Sequence, residues 1–188
     1  MSIFRYCLLA LLLASSGAAL AADSLWDDLR EGRAMMILRH ATAPGIGDPA
    51  GFELGNCATQ RNLNVLGREE ARRWGEALRA QGLGSATVYT SRWCRAQDTA
   101  EGFRLGRVQP QAELDSFFQN RGTSQSQMEA LRELIADLPA GEPIIMVSHQ
   151  VNITALTGEF PASGEAFVLA LPLTTPVKLL ARIRVPAE

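Results

Sequence analysis

The chain has 188 residues with 18 basic and 20 acidic side chains, a net charge of −2 with neutral histidines. That balance lacks the basic surplus on which nucleic-acid binders rely, so nucleic acid is not an expected partner. Three cysteines and two histidines, none closely spaced, do not make the paired-ligand pattern of a structural zinc site, and neither a metal nor a cofactor is expected.

Residues 1–21 read as a secretory signal peptide: Arg5 near the start, an apolar run over 7–14, and Ala19 and Ala21 at a small-x-small cleavage site. The run is too short to span a bilayer, and no later apolar stretch approaches that length. Residues 22–188 are then expected as a single domain, exported to the periplasm or secreted, with no membrane span. Losing Arg5 leaves 17 basic against 20 acidic side chains, a charge of about −3. Nothing in the sequence specifies an oligomeric state. The two cysteines that remain, Cys57 and Cys94, are expected to pair in an oxidising compartment.

AMMIL at 34–38 is short, apolar on both faces and followed by turn residues, which suits a buried strand of a parallel sheet. A long connection over 41–64 follows, rich in Gly and Pro; a loop of that length placed just after a strand end is a candidate for ligand binding. A helix is expected from Asn64, its cap, to Gly82, its stop, with Leu66, Ala71, Trp74, Ala77 and Leu78 as its apolar stripe. ATVYT at 86–90 reads as a strand, and a helix begins just beyond it.

A further helix is expected over 124–138, with Ser124 and Gln127 at capping-box spacing. PIIMVSH at 143–149 repeats the opening pattern of an apolar strand delivering polar residues. A short helix and two apolar runs, expected as adjacent strands, complete the chain. Strands alternating with helices predict an α/β fold, a three-layer α/β/α sandwich with a mostly parallel sheet.

His40 and His149 each follow a buried-looking strand directly. If those strands are parallel neighbours, both imidazoles emerge at the sheet edge where α/β proteins bind ligands, and the strand at 86–90 brings Arg92 and Arg95 towards Arg39. Guanidinium forks match phosphate oxygens with paired hydrogen bonds, and a neutral imidazole is able to attack phosphorus. The expected partner is a small phosphorylated substrate. Arg61 in the long loop reads equally as a phosphate contact or a surface ion pair. Arg92 reads as a solvated helix start in preference to a third clamp, Trp74 and Trp93 as packing residues, and Phe117 and Phe118 as core in preference to pocket wall.

At these residues the sequence resembles the histidine phosphatase superfamily, whose fold is phosphoglycerate mutase-like. Arg39, His40 and Ala41 match its Arg-His-Gly motif. Ser91, Arg95, Thr99 and Ala100 match its second-arginine pattern, and His149 with ALTG at 155–158 matches its second histidine. The resemblance implies a phosphoric monoester hydrolase working through a phosphohistidine on His40, with Arg39 and Arg95 clamping the phosphate and His149 stabilising charge. It implies Asp115 as proton donor, Glu113 being the second candidate, although some phosphohistidine phosphatases of the family lack a donor altogether. Ala41 departs from the usual glycine, which costs little if the backbone there has negative φ. The leader, the loop motif and SRWCR resemble the small exported branch that includes the lipopolysaccharide core heptose phosphatase, which implies an envelope phospho-sugar as substrate. Two other readings are a phosphate-binding module with little turnover and a protein phosphohistidine phosphatase.

Overall fold

The computed structural model describes residues 24–185; the signal peptide expected over 1–21 lies outside them. Six strands form one sheet: β1 (Ala34–Arg39), β2 (Val88–Thr90), β3 (Val108–Pro110), β4 (Ile144–Ser148), β5 (Ala166–Ala170) and β6 (Leu179–Ile183). Their spatial order is β3-β2-β4-β1-β5-β6. β3, β2, β4 and β1 run parallel, while β5 is antiparallel to both β1 and β6; β5 and β6, the two closing apolar runs, are adjacent as expected.

The central strands are apolar on both faces because helices cover both. In β1, Ala34, Met36 and Leu38 join one core with Trp74 and Leu78 of α2 (Val65–Ala80) and with Ala96, Ala100 and Phe103 of α3 (Cys94–Phe103). Leu29, from α1 over residues 24–30, completes that layer. Met35 and Ile37 point the other way, into a core built with Met128, Leu131 and Ile135 of α4 (Ser124–Asp137) and Ile153 and Leu156 of α5 (Gln150–Thr157). Period-two alternation along each strand divides its side chains between the two cores. The result is the three-layer α/β/α sandwich.

Local signals act as anticipated at α2: the Asn64 side chain accepts from Gly67 N at 2.8 Å, and Gly82 beyond the helix takes φ +78°. Two glycines of α2 allow close approach. A Cβ on Gly75 would stand 2.0 Å from Phe103 O, and one on Gly67 would stand 2.1 Å from Thr42 O, so α2 packs directly on α3 and on the loop after β1.

Three features differ from the sequence reading. Ser124 is the first residue of α4 rather than its cap; Thr123 takes the cap position without a side-chain cap bond. The Gln127 amide instead donates to the carbonyls of Glu113 (3.2 Å) and Asp115, so the expected capping box is not made. The short edge strand β3, three residues ending in Pro110, and the helix over 24–30 carry too little periodicity to be anticipated.

Candidate active site

Register brings the site together. Arg39 of β1 stands opposite Ser148 of β4, and Thr90 of β2 opposite Val147, so the residues that follow these strands, His40, Ser91 and His149, emerge side by side. Two bonds extend the pairing: His40 N donates to Ser148 O (2.9 Å) and Ser91 N to Val147 O (3.0 Å). The imidazole centroids of His40 and His149 lie 5.4 Å apart, and both rings are buried. They line a hollow of about 250 Å³ together with Arg39, Arg61, Arg95 and Asp48.

His40 Nδ1 lies 2.8 Å from Ala41 O. A carbonyl only accepts, so Nδ1 carries the proton and Nε2 presents its lone pair, which receives Arg95 Nε–H at 3.2 Å. Burial, and then the charge of Arg95, hold the His40 imidazole well below its ordinary value near 6.5, while the bond to Ala41 works the other way. His40 is thus neutral, with the nitrogen facing Arg95 free of a proton. Ala41 accommodates the place of the family's glycine without strain: among the described residues Arg104 is the one non-glycine with positive φ. Ala41 N is bonded to Thr99 Oγ1 at 3.0 Å.

His149 Nε2 lies 2.8 Å from Ser91 Oγ. That hydroxyl gives its single proton to Asp115 Oδ1 (3.2 Å) and accepts from Trp93 N (3.2 Å), so His149 Nε2–H is the donor in the pair. Nδ1 remains for a ligand. Burial, then Arg95 and His40, hold the His149 imidazole well below 6.5.

The arginines are placed unequally. Arg95 is 2% exposed, and its NH1 and NH2 donate to the two oxygens of Asp48 at 2.6 and 3.2 Å. Arg39 NH1 donates to Pro161 O (3.1 Å), while its buried Nε has no partner among the described residues. Arg61 bonds the carbonyls of Gly47 (2.8 Å) and Ala43 and lines the hollow; burial, then Arg95, lower it to about 10. With Asp48 ionised and both imidazoles neutral, three guanidinium groups and one carboxylate give the hollow a charge of +2, which matches a phosphate monoester dianion.

Asp115 takes a different position from the one its expected role requires. It does not line the hollow. Its carboxylate accepts from Arg92 N (2.8 Å), Arg92 Nε (2.7 Å) and Ser91 Oγ, and an acceptor so engaged has no proton to give. Glu113 does not line the hollow either. Arg92 is consequently a partner of Asp115 rather than a third clamp.

Asp48 escaped the sequence reading; the available signal was an acidic residue among the glycines and prolines after His40. Burial works to raise its pKa, but its bonds from Arg95, Arg61 N and Trp93 Nε1 outweigh this and hold it below the ordinary carboxylate value. Trp93 also stacks on Phe52 and sets its edge against His149. Phe117 fills the core as expected, but Phe118 lines the hollow instead, because its neighbour in sequence takes the inward position.

The loop carrying Asp48 is tied to the clamp helix by a disulfide. Cys57 and Cys94 are bonded, as expected, with Cα atoms 5.7 Å apart, and Cys94 immediately precedes Arg95. Gln60 Oε1 caps Cys94 N at 3.0 Å. Among the described residues no group of three or more His, Cys, Asp or Glu is placed to hold a metal ion, and no helix is long and apolar enough to cross a membrane.

Residues 35–121 match the model of the histidine phosphatase superfamily (branch 1). Comparison with curated proteins by sequence gives no match. Solved structures share the fold. The protein histidine phosphatase SixA complexed with tungstate is 18% identical, with TM-score 0.56 over 80% of this chain and 96% of that one. Mycobacterial glucosyl-3-phosphoglycerate phosphatase is 16% identical, with TM-score 0.55 over 78% and 97%. A phosphoserine phosphatase mutant from Entamoeba histolytica, in complex with phosphoserine, is 12% identical, with TM-score 0.57 over 79% and 95%. At such identities the likeness concerns the fold. The family-model match over residues 35–121 includes Arg39, His40 and Arg95, and over that stretch the chain is similar to the histidine phosphatase superfamily (branch 1).

Proposed function

We propose that this protein is a phosphatase that hydrolyses phosphate monoesters through a phosphohistidine on His40. The observation that carries the reading is the protonation pattern of His40: Nδ1–H fixed on Ala41 O, Nε2 unprotonated, and three guanidinium groups lining the same hollow. The ester dianion draws Arg95 Nε away from His40 onto a phosphate oxygen, and the orphaned Arg39 Nε takes another. His40 Nε2 then attacks phosphorus in line. A P–N bond forms, the P–O ester bond breaks, and the alcohol oxygen leaves with the bond's electron pair. Water attacks the phosphohistidine in turn, which releases inorganic phosphate and restores the imidazole. His149 takes up a second proton at Nδ1 as the dianion arrives and donates to it, while Nε2–H stays anchored on Ser91.

Asp115 is a positioning residue in this reading. It orients Ser91, and Ser91 orients His149. Neither Asp115 nor Glu113 lines the hollow, so neither is placed to protonate the leaving oxygen, and an alkoxide takes its proton from water. The leader-like residues 1–21 support action outside the cytoplasm, in the periplasm or after secretion, on a phosphorylated envelope compound, with a phospho-sugar suggested by the sequence resemblance.

Steady-state release of phosphate from p-nitrophenyl phosphate tests the proposal. Turnover that disappears in His40→Ala is expected. Tight phosphate binding without turnover in the unmodified protein would instead favour a phosphate-binding module.

A further inference from the structure

Three large apolar side chains stand open to solvent at the mouth of the hollow. Ile46 is 92% exposed, Phe160 61% and Phe118 38%, and all three line it. Single exposed apolar residues are ordinary on a protein surface, but several gathered at one opening mark a contact surface. Ile46 sits between Gly45 and Gly47, both at positive φ, on a turn that only glycines hold without strain. Gly47 lies against the Phe118 ring: a Cβ there would meet the ring edge at 3.6 Å, so the turn that carries Ile46 packs beside Phe118. The Phe160 ring lies 5.9 Å from Arg39 Cζ, so apolar surface adjoins the phosphate clamp itself.

Two polar side chains at the same mouth are partly engaged. Gln150 Nε2 donates to Thr154 Oγ1 at 3.0 Å, and Ser116 Oγ accepts from Phe118 N at 3.3 Å. A polyhydroxylated leaving group would have to give up hydration against side chains that offer few hydrogen bonds in exchange, whereas a hydrocarbon loses nothing.

We infer that the substrate is an amphiphilic phosphomonoester, one whose organic part begins as an alkyl, prenyl or similar hydrocarbon chain at the phosphate rather than as a bare sugar. This rests on the phosphatase reading given above and puts an amphiphile in place of the phospho-sugar suggested there. Ile46 and Phe118 hold the chain, and Phe160 beside Arg39 holds the segment nearest the ester.

The inference is tested with n-alkylphosphonates of one to eight carbons, which present the phosphate-like head and resist hydrolysis. Their inhibition constants against p-nitrophenyl phosphate turnover are expected to fall about threefold per added methylene over the first several carbons. Hexylphosphonate is expected to bind at least about tenfold more tightly than glucose 6-phosphate, which has as many carbons. Ile46→Ser, at a side chain too exposed to affect folding, and Phe118→Ser should each flatten the dependence on chain length, read as the ratio of octyl- to ethylphosphonate affinity. Constants that do not change with length, or tighter binding of glucose 6-phosphate, would overturn the inference. If p-nitrophenyl phosphate is not hydrolysed at all, the phosphatase reading fails separately. The same phosphonate series measured by titration calorimetry then decides the matter of the apolar mouth, upheld by a rising affinity and overturned by a level one.

Discussion

Asp48 sets the resting state of the phosphate clamp. Its two oxygens hold the Arg95 fork in the geometry a phosphate would use, and it offsets one of the three positive charges of the hollow. Asp48→Ala should leave Arg95 without its bidentate partner and lower kcat/KM for p-nitrophenyl phosphate by roughly 100-fold, the scale associated with a misplaced clamp. An unchanged value would show that phosphate alone orients Arg95. Asp115 supplies a second residue-level test. As a positioning group acting through Ser91 it should, when changed to Asn, slow alkyl and aryl phosphates by the same factor, because the orientation of His149 serves both. A loss confined to alkyl phosphates, whose leaving groups need a proton, would return Asp115 to the role of acid. The family resemblance pointed to Asp115 as proton donor, but a resemblance says nothing of the Arg92 side chain that engages its carboxylate. Asp48 was hidden for the opposite reason: it lies 47 positions from Arg95 in the chain, and only the folded loop joins them.

At the scale of elements, the connection over 41–64 is fastened to the rest of the site at several points. The disulfide joins Cys57 to Cys94, Asp48 grips Arg95, and Phe52 stacks on Trp93 with ring centroids 5.0 Å apart. Closing a loop across a sequence separation of 37 stabilises the native state by roughly 3–4 kcal/mol through the entropy of the unfolded chain. Full reduction should therefore lower the melting temperature, and it should also lower kcat/KM, because the same bond holds the Asp48 loop against the first turn of α3. A reduced sample with an unchanged rate would separate the bridge from the clamp. The strands and helices around this loop were legible because their periodicity is strong: the two-sided apolar runs of β1 and β4 and the Ala71, Trp74 and Leu78 stripe of α2 each declare a buried environment, whereas Leu66, expected in that stripe, is 70% exposed. β3 and the cap of α4 were not. Three residues hold too short a pattern, and the Ser124 and Gln127 spacing competes with nearby carbonyls that only the tertiary structure supplies.

At the scale of the whole molecule, function is obtained at the expense of pH tolerance. Two imidazoles are buried beside three guanidinium groups, and both are held well below 6.5. In the unfolded chain they titrate normally near ~6.5. As pH falls through that value the unfolded state takes up protons that the folded state refuses, so stability is full above about pH 6.5 and declines below it, by about 1.4 kcal/mol per pH unit for each histidine. Melting temperature should drop between about pH 6.5 and 5, and the drop should shrink in a His40→Gln, His149→Gln double variant. A double variant with the same pH dependence as the unmodified protein would assign the decline to other groups. That the two histidines would meet was readable from their shared place after apolar strands. The sheet order and register, which the sequence does not state, bring those strands together.

The central claim is a covalent one, and it is tested most directly by trapping. Mixing the protein with an excess of an aryl phosphate, quenching in alkali, which preserves phosphohistidine, and mapping the peptides should find one phosphoryl group on the peptide that carries His40, and none in His40→Ala. Turnover with no phosphoryl group on any histidine, or labelling that persists in the His40→Ala variant, would contradict the account.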